Sequence, residues 1–270
     1  MKALFLDLDG TLLNDDRAIP DGNRKALDEM LEKDHKVIIN TGRPLAGAIG
    51  LAKELELDRS GCYLAAFNGG LVYEMETKDI IYRSGMTPEA VRIVSEEAKK
   101  ANVHVQMYDD WKVLCEEYWV DEYLDWYCNR LGMEYRILAP EELADIRPLK
   151  MSGIDLEDKQ RLAAFGERLK EAAPKLVDAF LSSDKLLEIV VFGQNKGSAL
   201  KWVSERIGIS EENTIAIGDE ANDIPMLREA RLGVAMINGT PETRAAADLI
   251  TTRDNNNCGV AEIIENYILN

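Results

Sequence analysis

Residues 4–13 read LFLDLDGTLL. An apolar run, Leu4 to Leu6, leads into Asp7 and Asp9, and then into Gly10 and Thr11. The stretch KALFLDL has the composition of a strand buried on both faces. Residues i and i+2 of a continuing strand share a face. Asp7 and Asp9 therefore point to one side at its carboxyl end, and the question is what two carboxylates do there.

Outward from this stretch, strands and helices alternate. The apolar positions Ala26, Leu27, Met30 and Leu31 make a helical stripe between Ile19 and Glu32. KVIIN, from Lys36, reads as a second buried strand, and Pro44 opens a second helix. YLAAFNG reads as a third strand, and LVYEM and DIIYR flank a polar turn as a hairpin. Such alternation predicts an α/β fold with a parallel sheet. From about Gly85 the character shifts. A helix over residues 86–101, short strands VHVQMYDD and KVLCEE, and a helix in VDEYLDWYCNRLG follow, the last with Val120, Tyr123, Leu124, Tyr127 and Leu131 on one face. KMSGIDL, a helix from Glu157 to Ala172, and VDAFLSS come next, and LLEIVVFG reads as a strand leading back into the first domain. The last third returns to α/β units through TIAIGD, LGVAM, DLIT and a closing helix. The aromatic residues of the middle region are expected in the core. The expected division is a core of residues 1–84 and 190–270 and an inserted domain of residues 85–189, with hinges near Gly85 and Ser183 to Leu187.

Four polar stretches follow buried strands: DLDGT at 7–11, NTGR at 40–43, NKG at 195–197 and GDEAND at 218–223. In an open parallel sheet the loops at the carboxyl ends of the strands converge on one crevice. Asp7, Asp9, Asp219 and Asp223 would meet there. Carboxylates so gathered repel, and some stay protonated unless a cation sits among them. An oxygen-only set suits Mg²⁺. One carboxylate of such a group can attack phosphorus, and another can protonate the departing alcohol and later take a proton from water. The Thr41 hydroxyl, the backbone N–H groups after it and the Lys196 ammonium would hold phosphoryl oxygens. Plainer roles exist for the same residues. Asp219 and Asp223 can be helix caps, Thr41 a turn residue, Lys196 a solvated surface group, Asn68 a left-handed turn residue, Arg43 a loop brace, and Asn222 an orienter of an aspartate.

Taken together, DLDGTL, Thr41 at a strand end, Lys196 and GDEANDIPML resemble the haloacid dehalogenase superfamily, and in particular its Cof-type sugar phosphatases. The motifs match in order at both ends of the chain, and the inserted region matches by position and size. The resemblance implies a Rossmann-like core with an inserted α+β cap of the C2 type that fixes the substrate. It implies Asp7 as nucleophile, Asp9 as general acid and base, and Mg²⁺ held by Asp7, the Asp9 carbonyl and Asp219, supported by Asp223. Thr41, Gly42, Arg43, Asn68 and Lys196 are the candidate substrate contacts, with Asn222 beside the metal group. The activity so implied is Mg²⁺-dependent hydrolysis of a small phosphorylated metabolite, a sugar phosphate first and phosphoglycolate or another small acid phosphate second. A phosphotransferase or phosphomutase on the same scaffold is the alternative. A phospho-accepting receiver domain is disfavoured by the large insertion and by Asp9 two residues after Asp7.

Composition narrows the field. The 270 residues carry a formal net charge of −17, which argues against nucleic acid and anionic membranes as partners. Cys62, Cys115, Cys128 and Cys258 form no metal or disulfide spacing. His35 and His104 are too few for a histidine metal site, and His104 is expected to pack within a strand. No apolar run approaches the ~20 residues of a membrane span. A cytoplasmic monomer or small homo-oligomer is expected.

Overall fold

The computed structural model describes every residue from Met1 to Asn270. Ala3–Leu6 forms β1, all four residues without exposed surface. It is followed by α1 (Asp21–Glu32), β2 (Lys36–Asn40), α2 (Leu45–Glu54), β3 (Cys62–Ala66), β4 (Leu71–Glu74) and β5 (Asp79–Arg83). Next come α3 (Pro88–Ala101), β6 (His104–Tyr108), β7 (Val113–Glu116), α4 (Glu122–Leu131), β8 (Tyr135–Leu138), β9 (Lys150–Ile154), α5 (Lys159–Ala172), β10 (Val177–Ser183) and β11 (Leu186–Val191). The chain ends with α6 (Lys196–Ile207), β12 (Thr214–Gly218), α7 (Ile224–Glu229), β13 (Leu232–Ala235), α8 (Pro241–Ala246), β14 (Leu249–Ile250) and α9 (Gly259–Tyr267).

Contacts divide the chain into two compact units: residues 1–43, 48–82 and 195–270, and residues 44–47 and 83–194. The first unit is built on an eight-stranded sheet in the order β14-β13-β12-β1-β2-β3-β4-β5. The strands from β14 to β3 pair in parallel, and β4 joins β3 antiparallel. Ala3 lies opposite Thr214 on one side and Lys36 on the other. The chain thus leaves β1 toward β2 and returns on its far side as β12, so β1 marks the point where strand order reverses. The loops beyond the carboxyl ends of its neighbours open a crevice there. On one face Phe5, Ile38 and Ala65 pack with Leu200 and Val203 of α6 and Met226 and Leu227 of α7. Full burial of a side chain such as Leu4, Phe5 or Leu6 stabilises by roughly 1.5–3 kcal/mol, which fixes the strand that carries Asp7.

The second unit holds a six-stranded sheet, β10-β11-β9-β6-β7-β8, antiparallel except for the parallel pair β7/β8. Helices α3 and α5 pack on each other, α3 also on β6 and α5 on β10 and β11. Lys150, 2% exposed, forms an ion pair with Glu188 at 2.5 Å.

Several details depart from expectation. LLEIVVFG does lead back to the first unit, which resumes at Asn195, but the strand it forms, β11, belongs to the second sheet, paired with β9 and β10. In α4 the buried side chains are Leu124, Tyr127 and Cys128, whereas Val120 and Leu131 are exposed, since Val120 precedes the helix and Leu131 ends it. The aromatic core holds for Tyr108, Trp119 and Tyr127, but Trp111, Tyr118 and Tyr135 lie at the surface. Helix α5 starts at Lys159 because Asp158 caps it, accepting from the backbone N–H groups of Gln160 and Arg161. His104 is buried, with Nδ1 2.8 Å from an Asp121 carboxylate oxygen, a structural pairing. All four cysteines are free thiols. No helix is long and apolar enough to cross a membrane.

Close approach of α7 to the sheet generates a prediction. A Cβ on Gly233 of β13 would lie 2.1 Å from the Leu227 carbonyl oxygen. Backbone cannot yield as a side chain can, so Gly233→Ala should lower stability by at least ~1–3 kcal/mol. The check is a urea midpoint shifted down at unchanged slope; an unaltered midpoint contradicts the packing.

Candidate active site

Asp7 stands one residue past β1, its N–H donating to the Ile217 carbonyl at 3.1 Å. Lys196 is the first residue of α6. The Asn195 side chain caps that helix, accepting from the N–H groups of Gly197 and Ser198 at 2.9 and 3.0 Å. A cation at a helix N-terminus opposes the helix dipole. Here two carboxylates reverse the balance: Lys196 Nζ donates to Asp7 Oδ1 and to Asp223 Oδ1, each at 2.5 Å, with the ammonium side chain 1% exposed. The Asn40 Nδ2 donates to the Lys196 carbonyl at 2.9 Å and ties β2 to the same point.

Asp223 completes its set with Oδ2, which accepts from the N–H groups of Asp219 and Glu220, both at 2.9 Å. Asp219 Oδ1 accepts from Thr11 Oγ1 at 2.7 Å. Asp7, Asp219 and Asp223 each offer an oxygen within 4.8 Å of the others, and all three are buried. Two glycines make room for them. A Cβ on Gly10 (φ +79°) would lie 2.3 Å from Asp219 Oδ2, and one on Gly218 would lie 2.4 Å from Asp223 Cβ. Neither position tolerates a larger residue without moving a carboxylate.

Burial pushes Asp7 up to about 7, against the pull of Lys196, and pushes Asp219 up to about 6. Burial also works against the Lys196 charge, but Asp223 and Asp7 outweigh it and hold the ammonium above its ordinary value. Both Asp223 oxygens are occupied by Lys196 and backbone donors. Asp7 and Asp219 are the carboxylates left to hold a cation, an all-oxygen donor set that fits a hard metal ion.

A second loop lies beyond β2. The N–H of Thr41 donates to the Ala65 carbonyl at 2.9 Å, and its hydroxyl accepts from the Arg43 N–H at 3.2 Å. Arg43 places Nε 2.9 Å from Asp9 Oδ2 and one terminal nitrogen 2.6 Å from Asp9 Oδ1. The Asp9 carboxylate therefore stands with Arg43, outside the three-carboxylate group. Asn68 sits in a left-handed turn (φ 53°, ψ 40°), donates its N–H to the Thr41 carbonyl at 3.0 Å, and accepts from Asn222 Nδ2 at 3.3 Å. A Cβ on Gly42 would lie 3.1 Å from Asn68 Oδ1. Asn222 thus meets Asn68 and not the carboxylates.

The profile of the haloacid dehalogenase-like hydrolases matches residues 4–264. The chain belongs to that family. It is 32% identical over 269 residues to a 5-amino-6-(5-phospho-D-ribitylamino)uracil phosphatase of Bacillus subtilis, covering 100% of this chain and 96% of that one. A crystal structure of a haloacid dehalogenase-like hydrolase from Bacteroides thetaiotaomicron superposes with a TM-score of 0.83 at 31% identity over 98% of both chains. A protein from Thermotoga maritima superposes with a TM-score of 0.82, also at 31% identity, over 98% of this chain and 96% of that one. This haloacid dehalogenase-like hydrolase is an enzyme of the phosphatase type.

The sequence assigns no partner to Thr11, Asn40 or Asn238 in this hydrolase. Asn238 Nδ2 donates to the Gly10 carbonyl at 2.8 Å. Asn40 was findable as a polar residue closing the apolar run KVII, and Thr11 as the hydroxyl after Gly10. Asn238 gave no such signal, since its partner is 228 positions away.

The raised carboxyl values set a pH dependence. Between the unfolded value of 3.8 and the folded values of about 6 and 7, the folded chain holds protons that the unfolded chain has released. The stability contributed by these two groups therefore falls as pH rises from about 4 to 7, and levels off above that. A divalent cation must displace those protons, so it should raise Tm more at pH 8 than at pH 5. Equal shifts by calorimetry at the two pH values would contradict a cation site on Asp7 and Asp219.

Proposed function

We propose that this enzyme is a magnesium-dependent hydrolase of small phosphomonoesters, sugar phosphates foremost, acting through a phosphoryl group carried on Asp7. The observation that carries the reading is the state of Asp7: it belongs to the three-carboxylate group, Lys196 pins its Oδ1 at 2.5 Å, and its Oδ2 accepts no hydrogen bond. A buried carboxylate with one oxygen anchored and one uncommitted is an aimed nucleophile. The ribityl phosphate named for the Bacillus relative is a phosphorylated polyol, which supports the substrate class.

In this mechanism Asp7 Oδ2 attacks phosphorus and the bond to the ester oxygen breaks. Asp9 gives that oxygen its proton, so the alcohol departs neutral. Asp9 then takes a proton from water, the resulting hydroxide attacks the phosphorus, and Asp7 leaves as a carboxylate with inorganic phosphate as product. Thr41, Gly42, Arg43 and Asn68 contact the substrate, and Lys196 balances phosphoryl charge while holding Asp7 and Asp223 apart from each other. Mg²⁺ would be held by Asp7, Asp219 and the Asp9 carbonyl, with Asp223 bracing the group, and when bound it would supply positive charge for the phosphoryl oxygens. Residues 85–189 serve as the cap that chooses the leaving group. The partners are small metabolites, and the location is the cytoplasm, consistent with four free thiols.

The test is phosphate release from a panel of sugar phosphates, small acid phosphates and nucleotides, with Mg²⁺ and with chelator. Asp7→Asn should abolish release at unchanged folding, because it keeps the volume and removes the nucleophile. Retained turnover would sink the covalent route. Phosphate delivered to an added sugar in place of water would mark a transferase.

A further inference from the structure

The Arg43–Asp9 pair is the one arrangement in the site that works against the chemistry just described. Both Asp9 oxygens accept N–H bonds from one guanidinium, at 2.9 and 2.6 Å. A carboxylate with both oxygens engaged by N–H donors has neither oxygen open to the ester oxygen of a substrate. The backbone around Arg43 is fixed at three points: its N–H donates to Thr41 Oγ1, its carbonyl accepts from the Phe67 N–H at 3.0 Å, and Thr41 is tied to β3. The side chains are not so confined, with Asp9 55% and Arg43 26% exposed. An exposed pair of this kind is weak and exchangeable. The planar fork of a guanidinium fits a phosphoryl group as well as it fits a carboxylate.

We propose that Arg43 is a latch on Asp9: phosphoryl oxygens compete with Asp9 for the guanidinium, and binding of a phosphoryl group frees Asp9 to act as acid and base. The inference rests on the hydrolase reading above and adds a coupling between two residues that the reading alone does not require. Arg43 then has two partners in each turnover and serves them in alternation. Asp9 is deployed only when a phosphoryl group is present to be transferred.

The coupling is measurable without turnover. Inorganic phosphate is titrated in Mg²⁺ buffer into the native protein, Asp9→Asn, Arg43→Gln and the double variant, by calorimetry. If phosphate must break the pair, Asp9→Asn binds it at least about threefold more tightly than the native protein, and that gain vanishes in the Arg43→Gln background. A gain of equal size in both backgrounds is simple relief of charge repulsion and overturns the latch. The native protein gives an independent reading that needs no variant to fold. The guanidinium Nε–H resonances, followed by ¹⁵N NMR during the same titration, should include one that shifts in step with phosphate occupancy; a spectrum unmoved at saturation overturns the latch as well. Hydrolysis of the substrate panel with either negative result defeats only this proposal. Absence of both phosphate binding and hydrolysis defeats it together with the hydrolase reading.

Discussion

The Lys196 ammonium is the point on which the first unit turns. It is 1% exposed, and a buried charge without partners would be intolerable. Its two partners come from the ends of β1 and β12, neighbouring strands that are remote in sequence. The ammonium therefore acts as a fastener between two loops and as a charge in the crevice, and the two roles cannot be separated. Removing it would leave Asp7 and Asp223 buried with no cation between them, which explains why the residue that begins α6 is a lysine despite the adverse helix dipole.

The carboxylates around it divide their oxygens. Asp223 spends both, one on Lys196 and one on backbone N–H groups, and so acts as a brace. Asp219 spends one on Thr11, and Asp7 one on Lys196. Each of these two keeps one oxygen without a hydrogen bond, in a crowded carboxylate group that Gly10 and Gly218 make possible. Three aspartates of the same type thus receive different environments from hydrogen bonds alone, and burial lifts the two with an uncommitted oxygen into the range of neutral pH.

Much of this is legible in the chain. Apolar strands ending in polar triplets mark the crevice, because in a parallel sheet the strand ends must gather. Asp7, Lys196, Asp219 and Asp223 sit in such triplets. What could not be read is which carboxylate pairs with which cation. Arg43 and Asp9 lie 34 positions apart, and nothing local foretells that they join. The insertion was harder. A half-buried helix such as α4 shows more apolar residues than it buries, so Val120 and Leu131 misled the stripe. The short strand β8, exposed at Tyr135, Arg136 and Ile137, has no burial pattern to betray it. LLEIVVFG announced a buried strand but not which sheet would claim it.

The strand order also has a consequence in time. β1 is made well before one of its two parallel neighbours: β12 aligns Thr214 with Ala3, a separation of 214 − 3 = 211 residues. At ~5–20 residues per second, a ribosome needs roughly 10–40 s to supply that neighbour. Through that interval one side of a wholly apolar strand has no native edge to join, and Asp7 has no Lys196 until α6 emerges. The second unit, continuous apart from residues 44–47, is complete by Gln194 and can form its own sheet while the first still waits. On the ribosome the second unit can therefore form before the first is complete, and the crevice of Asp7, Lys196, Asp219 and Asp223 can close only after it.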